Sequence, residues 1–269
     1  MAAASARKGM SSRQRIWLYR IVVLVVLIGV WEYGSERSVI TRFFVGSPLE
    51  VALTIVDWCW TGLIWPHLAI TLIETLLAFS IGTALALIIG LWLALDPFWS
   101  GVFDPFIKSV NTMPRLILAP IFSVWFGLGI WSKVALGVTI VFFIVFFNVY
   151  QGVKEVSPIL LANVRMLGAN RAQLIRRVYI PSAMSWVFSS LHLSVGMAFV
   201  GAVIGEYLGS AAGVGYLILQ AESTFDINAV IAGIVILTAC ALVLDAMVTL
   251  VENWLVGRSR PRAAEARGT

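Results

Sequence analysis

Long apolar runs separated by short polar connections dominate this chain. Six runs are long enough, at about 1.5 Å per helical residue, to cross roughly 30 Å of hydrocarbon as helices. They cover residues 16–33, 67–95, 103–128, 132–153, 181–208 and 227–256. The pattern predicts an all-α membrane protein with six transmembrane helices, a core at residues 67–256, an outer segment at 34–66, and polar tails at 1–15 and 257–269.

Small residues recur at every fourth position in two of these runs. Such stripes let helix backbones approach one another closely inside a membrane. The members in the second run are Gly82, Ala86, Gly90 and Ala94, and those in the fifth are Gly201, Gly205 and Gly209. Both runs are therefore expected to pack tightly against neighbouring helices.

Prolines interrupt the third run at Pro105, Pro114 and Pro120. They predict a short interfacial piece followed by a broken span, because proline removes a helical hydrogen bond. Broken helices often border transport pathways, and a kink that serves packing alone is the alternative interpretation.

Two connections outside the runs have patterns of their own. In the outer segment, Gly46-Ser47-Pro48 predicts a turn before an amphipathic helix from Leu49 to Trp60. The glycine-rich connection from Gly209 to Asn228 contains a short apolar piece, Tyr216–Leu219, which is expected to dip into the membrane interface.

Composition agrees with this membrane assignment. Hydrophobic residues make up 60% of the 269 positions and charged residues only 12%, which is too much apolar surface for one soluble core of this size. The net charge of +5 does not indicate nucleic-acid binding, because the basic residues lie at the ends of apolar runs. Two cysteines form neither a disulfide framework nor a metal site.

The distribution of Lys and Arg determines the orientation. Sixteen of the 19 basic residues fall in the two tails and in the connections after the second and fourth runs, and three fall on the other side. Because cytoplasmic segments carry the excess of basic residues, both tails are predicted to be cytoplasmic.

The cytoplasmic connection at residues 157–180 contains four arginines, yet its sequence has the signals of regular structure. Ser157 followed by Pro158 is typical of a helix start. Gly168 is suited to end that helix in the left-handed conformation. Asn170 with Gln173 predicts a capping box for a second short helix. A helix–Gly–helix unit in the cytoplasm is expected to dock on a partner, and Pro181 ends its second helix or opens the next element.

Signatures of catalysis are not found in the sequence. It contains neither a phosphate-binding loop, nor HExxH, nor Gly-x-Ser-x-Gly. Ionisable residues within the runs are candidates for function, because charge is costly in a membrane. Asp245 is expected to pair with a basic residue of a neighbouring helix. His192 fits a packing role better than a catalytic one, and Glu206 lies near a substrate entry or is solvated at the interface. Asn148, His192 and Glu206 are the candidates for the translocation pathway.

The loop resembles the EAA loop of permease subunits of bacterial ATP-binding-cassette importers. That motif reads Glu-Ala-Ala, three residues, Gly, nine residues, Ile-x-Leu-Pro. Gly168 and the segment Val178-Tyr179-Ile180-Pro181 match it at the right spacing. The front departs from it, because Ala162-Asn163-Val164 stands where Glu-Ala-Ala is found in the family.

Four further segments resemble the branch of that family for nitrate, sulfonates, taurine and similar substrates. The likeness covers the chain from about Phe43 to Val256. The segments are Gly46-Ser47-Pro48, Met113-Pro114-Arg115 with Ala119-Pro120, Trp125-Phe126-Gly127-Leu128-Gly129, and Gly205-Glu206-Tyr207-Leu208-Gly209 with Gly213-Val214-Gly215-Tyr216.

The resemblance implies a type I importer permease of the MetI-like fold, working as a homodimer. Two ATPase subunits would bind ATP and Mg²⁺, and a periplasmic or lipid-anchored binding protein would deliver the substrate. The resemblance implies no catalytic residue, metal or cofactor on this chain. Its ATPase-coupling residues would be Leu161, Ala162, Asn163, Val164, Arg165, Gly168, Arg171 and Pro181, with apolar contact also from Leu160 and Leu167.

Two other classes stay open on the sequence alone. One is a membrane-embedded enzyme that uses Glu206, Asp245 or His192, and the other is a structural anchor whose basic loop binds anionic lipid. The substrate also stays open among nitrate, sulfonates, taurine, aromatic acids and a thiamine-type precursor.

Overall fold

The computed structural model describes residues 12–36 and 42–257, and its regular structure is helical. The first helices are α1 Ser12–Glu36, α2 Arg42–Val45, α3 Pro48–Trp60, α4 Ile64–Leu95 and α5 Pro97–Asn111. A 3₁₀ turn, Arg115–Ile117, then precedes α6 Leu118–Phe126 and α7 Ile130–Lys154. The remaining elements are α8 Pro158–Met166, α9 Arg171–Leu174, a π turn Ile175–Tyr179, α10 Ile180–Leu208, α11 Val214–Ser223 and α12 Ile227–Gly257. The predicted tails lie almost wholly outside the described residues.

Five of the six predicted spans correspond to long helices of the structure. Within the described residues, α1, α4, α7 and α12 are each long and apolar enough to cross a membrane. A fifth candidate is formed by Arg171–Phe188 with His192–Leu208, which are bent by 57° relative to each other. The third predicted run is divided between α5, the 3₁₀ turn and α6. The expected break is present at Pro114, whereas Pro105 lies inside α5 and Pro120 inside α6. Whether this run crosses the membrane stays a prediction.

The centre of the molecule is a packed layer of α4, α7 and α10. The predicted small-residue stripes make these contacts. A Cβ at Gly82 would lie 2.9 Å from Cβ of Val141 on α7, and one at Gly201 would lie 2.9 Å from Cα of Gly137 on α7. The neighbouring atoms of α7 leave no room for even a methyl group at these two glycines. The predicted close packing is therefore confirmed.

The outer segment is attached to the far end of the chain. Gly46 has φ +66° and forms the predicted turn before α3. Asn228, at the start of α12, accepts a hydrogen bond from the Ser47 N–H at 3.0 Å and donates one to Oε2 of Glu50 at 2.5 Å. These bonds fix the start of α3 against α12.

The apolar piece of the glycine-rich connection belongs to a helix. Tyr216–Leu219 lie in α11, whose Val214, Leu217, Ile218 and Ala221 are buried against neighbouring helices. These apolar residues are spaced to cover one face of the helix, and its position at the membrane interface stays a prediction.

Candidate functional site

The cytoplasmic connection forms the helix–Gly–helix unit that its sequence predicts. Its first helix, α8, begins at Pro158 and ends in a Schellman motif. The Gly168 N–H donates to the Arg165 carbonyl at 2.9 Å, and the Ala169 N–H donates to the Val164 carbonyl at 3.3 Å. Gly168 has φ +81°, the left-handed conformation that this motif requires. The predicted helix end is confirmed.

The second helix carries the predicted capping box. Oδ1 of Asn170 accepts from the Gln173 N–H, and Oε1 of Gln173 accepts from the Asn170 N–H, both at 2.9 Å. The predicted helix start is confirmed, because Ser157 is the N-cap residue and Pro158 is the first residue of α8. The Ser157 side chain itself makes no capping hydrogen bond.

No break separates α9 from α10. The π turn Ile175–Tyr179 links them, and Pro181 lies in the first turn of α10. Proline therefore opens the next element, which is one of the two predicted alternatives. A π turn accommodates the missing N–H without ending the helix.

The α8–α9 unit, residues 158–174, exposes apolar side chains. Ile159 is 73%, Met166 80% and Leu167 87% exposed, whereas Leu161 and Val164 are half-buried. Contact through Leu160 and Leu167 was expected from the sequence; Ile159 and Met166 were missed, because a short basic segment gives no clear amphipathic signal. Arg165 and Arg171 are exposed at the edge of this surface.

A second cluster of polar side chains lies at the opposite end of the bundle. Glu206 on α10 is fully buried. Its Oε1 accepts from the Thr71 hydroxyl at 2.6 Å, and its Oε2 accepts from the Gly215 N–H at 2.7 Å. The Thr71 hydroxyl in turn accepts from the Val214 N–H at 3.1 Å, and Nδ1 of His67 accepts from the Gly213 N–H at 3.0 Å.

These contacts satisfy the first N–H groups of α11 with side chains of α4 and α10. A carboxylate at a helix N-terminus is also favoured by the helix dipole. The suggestion that Glu206 is solvated at the interface was therefore wrong. His67, on α4, is part of the same cluster.

Two further charged residues are buried beside Glu206. Glu74 on α4 and Lys133 on α7 are each 1% exposed. The Lys133 ammonium donates to the carbonyls of Leu128 at 2.6 Å and Gly129 at 3.0 Å. Oε2 of Glu74 has no hydrogen-bond partner in the described structure. Lys133 was missed at the sequence level, although a lysine in the first turn of an apolar span is itself a signal.

The comparisons with known proteins determine the family. The family described as "Binding-protein-dependent transport system inner membrane component" matches residues 82–257. The chain belongs to this family.

Relatives of the permease cover nearly its whole length. A protein provisionally named the aliphatic sulfonates transport permease protein SsuC, from Bacillus subtilis, is 30% identical over 94% of this chain and 92% of its own. The formylaminopyrimidine transport permease protein ThiX of Halalkalibacterium halodurans is 33% identical, with 86% and 92% covered. The taurine transport system permease protein TauC of Escherichia coli is 29% identical, with 84% of each chain covered.

Solved structures agree with the fold of the permease. A chain of the MetNI methionine ABC transporter, in an inward-facing conformation, superposes with a TM-score of 0.58 at 16% identity, covering 76% of this chain and 99% of that one. The MetI-like fold implied by the sequence is confirmed. The permease is a transport subunit of the inner membrane, and ATP hydrolysis belongs to a separate ATPase. The two alternative classes, a membrane-embedded enzyme and a structural anchor, were therefore wrong.

The predicted pathway residues of the permease are not brought together. Asn148 on α7 donates to the Ile144 carbonyl of its own helix at 2.8 Å. Nδ1 of His192 on α10 lies 3.3 Å from Oδ1 of Asp245 on α12, so the expected pairing of Asp245 with a neighbouring helix is confirmed. Their assignment to the translocation pathway stays a prediction. Among the described residues, no group of three or more His, Cys, Asp or Glu side chains is arranged to hold a metal ion.

Proposed function

We propose that this permease imports a small anion, with sulfonates such as taurine as the first substrate class, and that it works as a pair of identical subunits. Two cytoplasmic ATPase subunits that bind ATP and Mg²⁺, and a periplasmic or lipid-anchored binding protein, complete the importer. The names of SsuC and TauC support the substrate class. The name of ThiX supports a pyrimidine as the second candidate.

We further propose that the α8–α9 unit transmits movement of the ATPase to the membrane helices. The observation that carries this proposal is its double attachment. Three residues separate α7 from α8, and α9 continues through the π turn into α10. Displacement of the unit therefore acts on the ends of α7 and α10 together, which is how a docked helix moves a bundle as a rigid body.

The exposed side chains of the unit indicate how it contacts the ATPase. Ile159, Met166 and Leu167 supply the apolar face for a groove on the partner, in the manner of other helix-in-groove contacts. Arg165 and Arg171 supply polar contacts at its edge. Since Ala162-Asn163-Val164 carries no charge, the contact at the front of the unit is apolar, with Asn163 as its hydrogen-bonding group.

Replacement of Gly168 tests this assignment. The Cβ of a new side chain would meet no atom within 4 Å, so a substitution acts only through the backbone conformation. Gly168 has φ +81°, a left-handed conformation that costs an ordinary L-residue roughly 1–2 kcal/mol and costs β-branched valine more. Gly168→Val should therefore lower the population of the docking geometry at least about 5-fold to 30-fold. We expect Gly168→Val to lose co-purification with the cognate ATPase and substrate-stimulated ATP hydrolysis.

Gly168→Asn is the matched control, because asparagine tolerates the left-handed region. It should retain the ATPase. Equal retention by both variants would show that the unit is not the docking element. Thermal denaturation of the isolated permease separates this outcome from a folding defect, since both variants should unfold close to the wild-type temperature.

A further inference from the structure

A cavity of about 700 Å³ lies between the α8–α9 unit and the cytoplasmic ends of α4 and α7. Leu95 and Val153 form part of its wall where the membrane helices end, and Leu174 and Tyr179 form part of the side towards α10. The cavity therefore combines an apolar wall at the ends of the membrane helices with an opening to solvent on the side that is predicted to be cytoplasmic.

Three cations line this cavity. They are Lys154 at the end of α7, Arg165 on α8 and Arg171 on α9, and all three are exposed. Within residues 12–36 and 42–257, none of them forms a salt bridge. Three positive charges from three elements around one space form a binding site for a multivalent oxyanion.

The acidic residues nearest in sequence form no salt bridge with these cations in the described structure. Glu155 follows Lys154, but its Oε1 accepts from the Gln151 side chain at 2.9 Å. Asp96 follows Leu95, but its Oδ1 accepts from the first N–H groups of α5. Among the residues that the structure describes, no carboxylate side chain lines the cavity.

We propose that this cavity binds the phosphate group of an anionic phospholipid from the cytoplasmic leaflet. The three cations contact the phosphate, and the apolar wall at Leu95 and Val153 contacts the glycerol and the first part of the acyl chains. Basic pockets between membrane helices on the cytoplasmic side bind headgroups of this kind. A carboxylate from the ATPase fits less well, since it would leave most of the cavity and its apolar wall unfilled.

Such a lipid would lie against α7 and the α8–α9 unit at the same time. Its occupancy would therefore link the lipid composition of the membrane to the position of the unit. Arg165 and Arg171 are shared with the proposed ATPase contact, whereas Lys154 belongs to the lipid site alone. Variants of Lys154 therefore test lipid binding separately from docking on an ATPase.

Lys154 provides the test, because it was not among the predicted ATPase-coupling residues. The purified full-length chain in detergent is titrated with phosphatidylglycerol or with phosphatidylcholine, and retained lipid is counted by native mass spectrometry. We expect Lys154→Gln to weaken retention of phosphatidylglycerol about fivefold, the usual effect of one cation near a lipid surface. Lys154→Arg should restore retention, because it keeps the charge.

Arg177→Gln is the matched control. Arg177 is exposed on the same loop but does not line the cavity, so its removal should change retention by less than about twofold. Equal losses in Lys154→Gln and Arg177→Gln would indicate general charge attraction and overturn the site. Equal retention of the two lipids would also overturn it.

A third arm separates the lipid from a free anion. Inorganic phosphate is added to the wild-type chain with phosphatidylglycerol present, and we expect the lipid to stay bound because its acyl chains also contact the apolar wall. Complete displacement by phosphate would assign the cavity to a free anion and overturn the lipid assignment. The variants are compared only if their thermal midpoints match that of the wild type.

Discussion

Glu206 illustrates how a charged residue within a membrane helix serves the architecture. Thr71 and Gly215 donate to its two carboxylate oxygens from different elements, so one side chain joins α4, α10 and α11. A Cβ at Gly213 would lie 2.1 Å from Cδ of Glu206, which explains the glycine beside it. The segments at residues 205–209 and 213–216 therefore contact each other, through Glu206 on one side and Gly213 and Gly215 on the other.

Glu206→Gln should destabilise the permease. An amide has one acceptor oxygen in place of two, so the Gly215 N–H or the Thr71 hydroxyl loses its buried acceptor, at a cost of about 1–3 kcal/mol. Thermal unfolding in detergent, followed by intrinsic fluorescence, should show a midpoint lower by about 2–4 °C for each kcal/mol lost.

Glu222→Gln is the control for this change. Glu222 lies on α11 but is exposed, and a glutamine oxygen still accepts from the Tyr207 hydroxyl. Its midpoint should stay near that of the wild type. Equal shifts in the two variants would mean that burial of Glu206 does not contribute to stability.

At the scale of helices, the sequence predicts those features whose hydrogen bonds are local. The capping box at Asn170 and the Schellman motif at Gly168 each lie within a few residues of chain, so their signals were sufficient. The burial of α11 was not predicted, because it depends on Thr71, more than 60 residues away in the chain. The position of Lys133 beside Glu206 was not predicted for the same reason. The helix start at Ser157-Pro158 was also predicted from local sequence, although the Ser157 hydroxyl makes no capping hydrogen bond.

The attachment of α3 to α12 gives a prediction at this scale. Asn228→Ala removes the acceptor of the Ser47 N–H and the donor to Glu50, so α3 should open more readily. The free energy needed to open α3 should fall by about 1–3 kcal/mol. Where opening of α3 controls the rate, this corresponds to roughly 5-fold to 150-fold faster hydrogen exchange. Hydrogen–deuterium exchange with mass spectrometry over residues 48–60 measures this effect.

Asn148→Ala is the matched control, because the Asn148 side chain donates only within its own helix. It should leave exchange in α3 unchanged. Unchanged exchange in Asn228→Ala as well would show that apolar packing alone holds α3 in place.

The whole molecule has two polar regions joined by apolar helices. The cavity and the α8–α9 unit lie at one end, and the cluster of Glu206, Glu74 and Lys133 lies at the other. The same packed helices contact both regions, since α7 runs between them as one helix and α10 does so with a bend of 57° between Phe188 and His192. Coupling between the two regions would require these helices to have two arrangements.

The α8–α9 unit can meet an ATPase only if its end of the bundle faces the cytoplasm. The two native cysteines test this orientation. Cys59, on α3, is exposed and is predicted to face the periplasm, whereas Cys240 lies within the apolar α12. A membrane-impermeant maleimide should label spheroplasts carrying the wild-type protein, and Cys59→Ser should abolish that labelling. In the Cys59→Ser background, Arg177→Cys should be labelled only after permeabilisation, because its loop is predicted to be cytoplasmic. The reverse pattern would place the α8–α9 unit on the outer side, where it could meet neither an ATPase nor the inner leaflet.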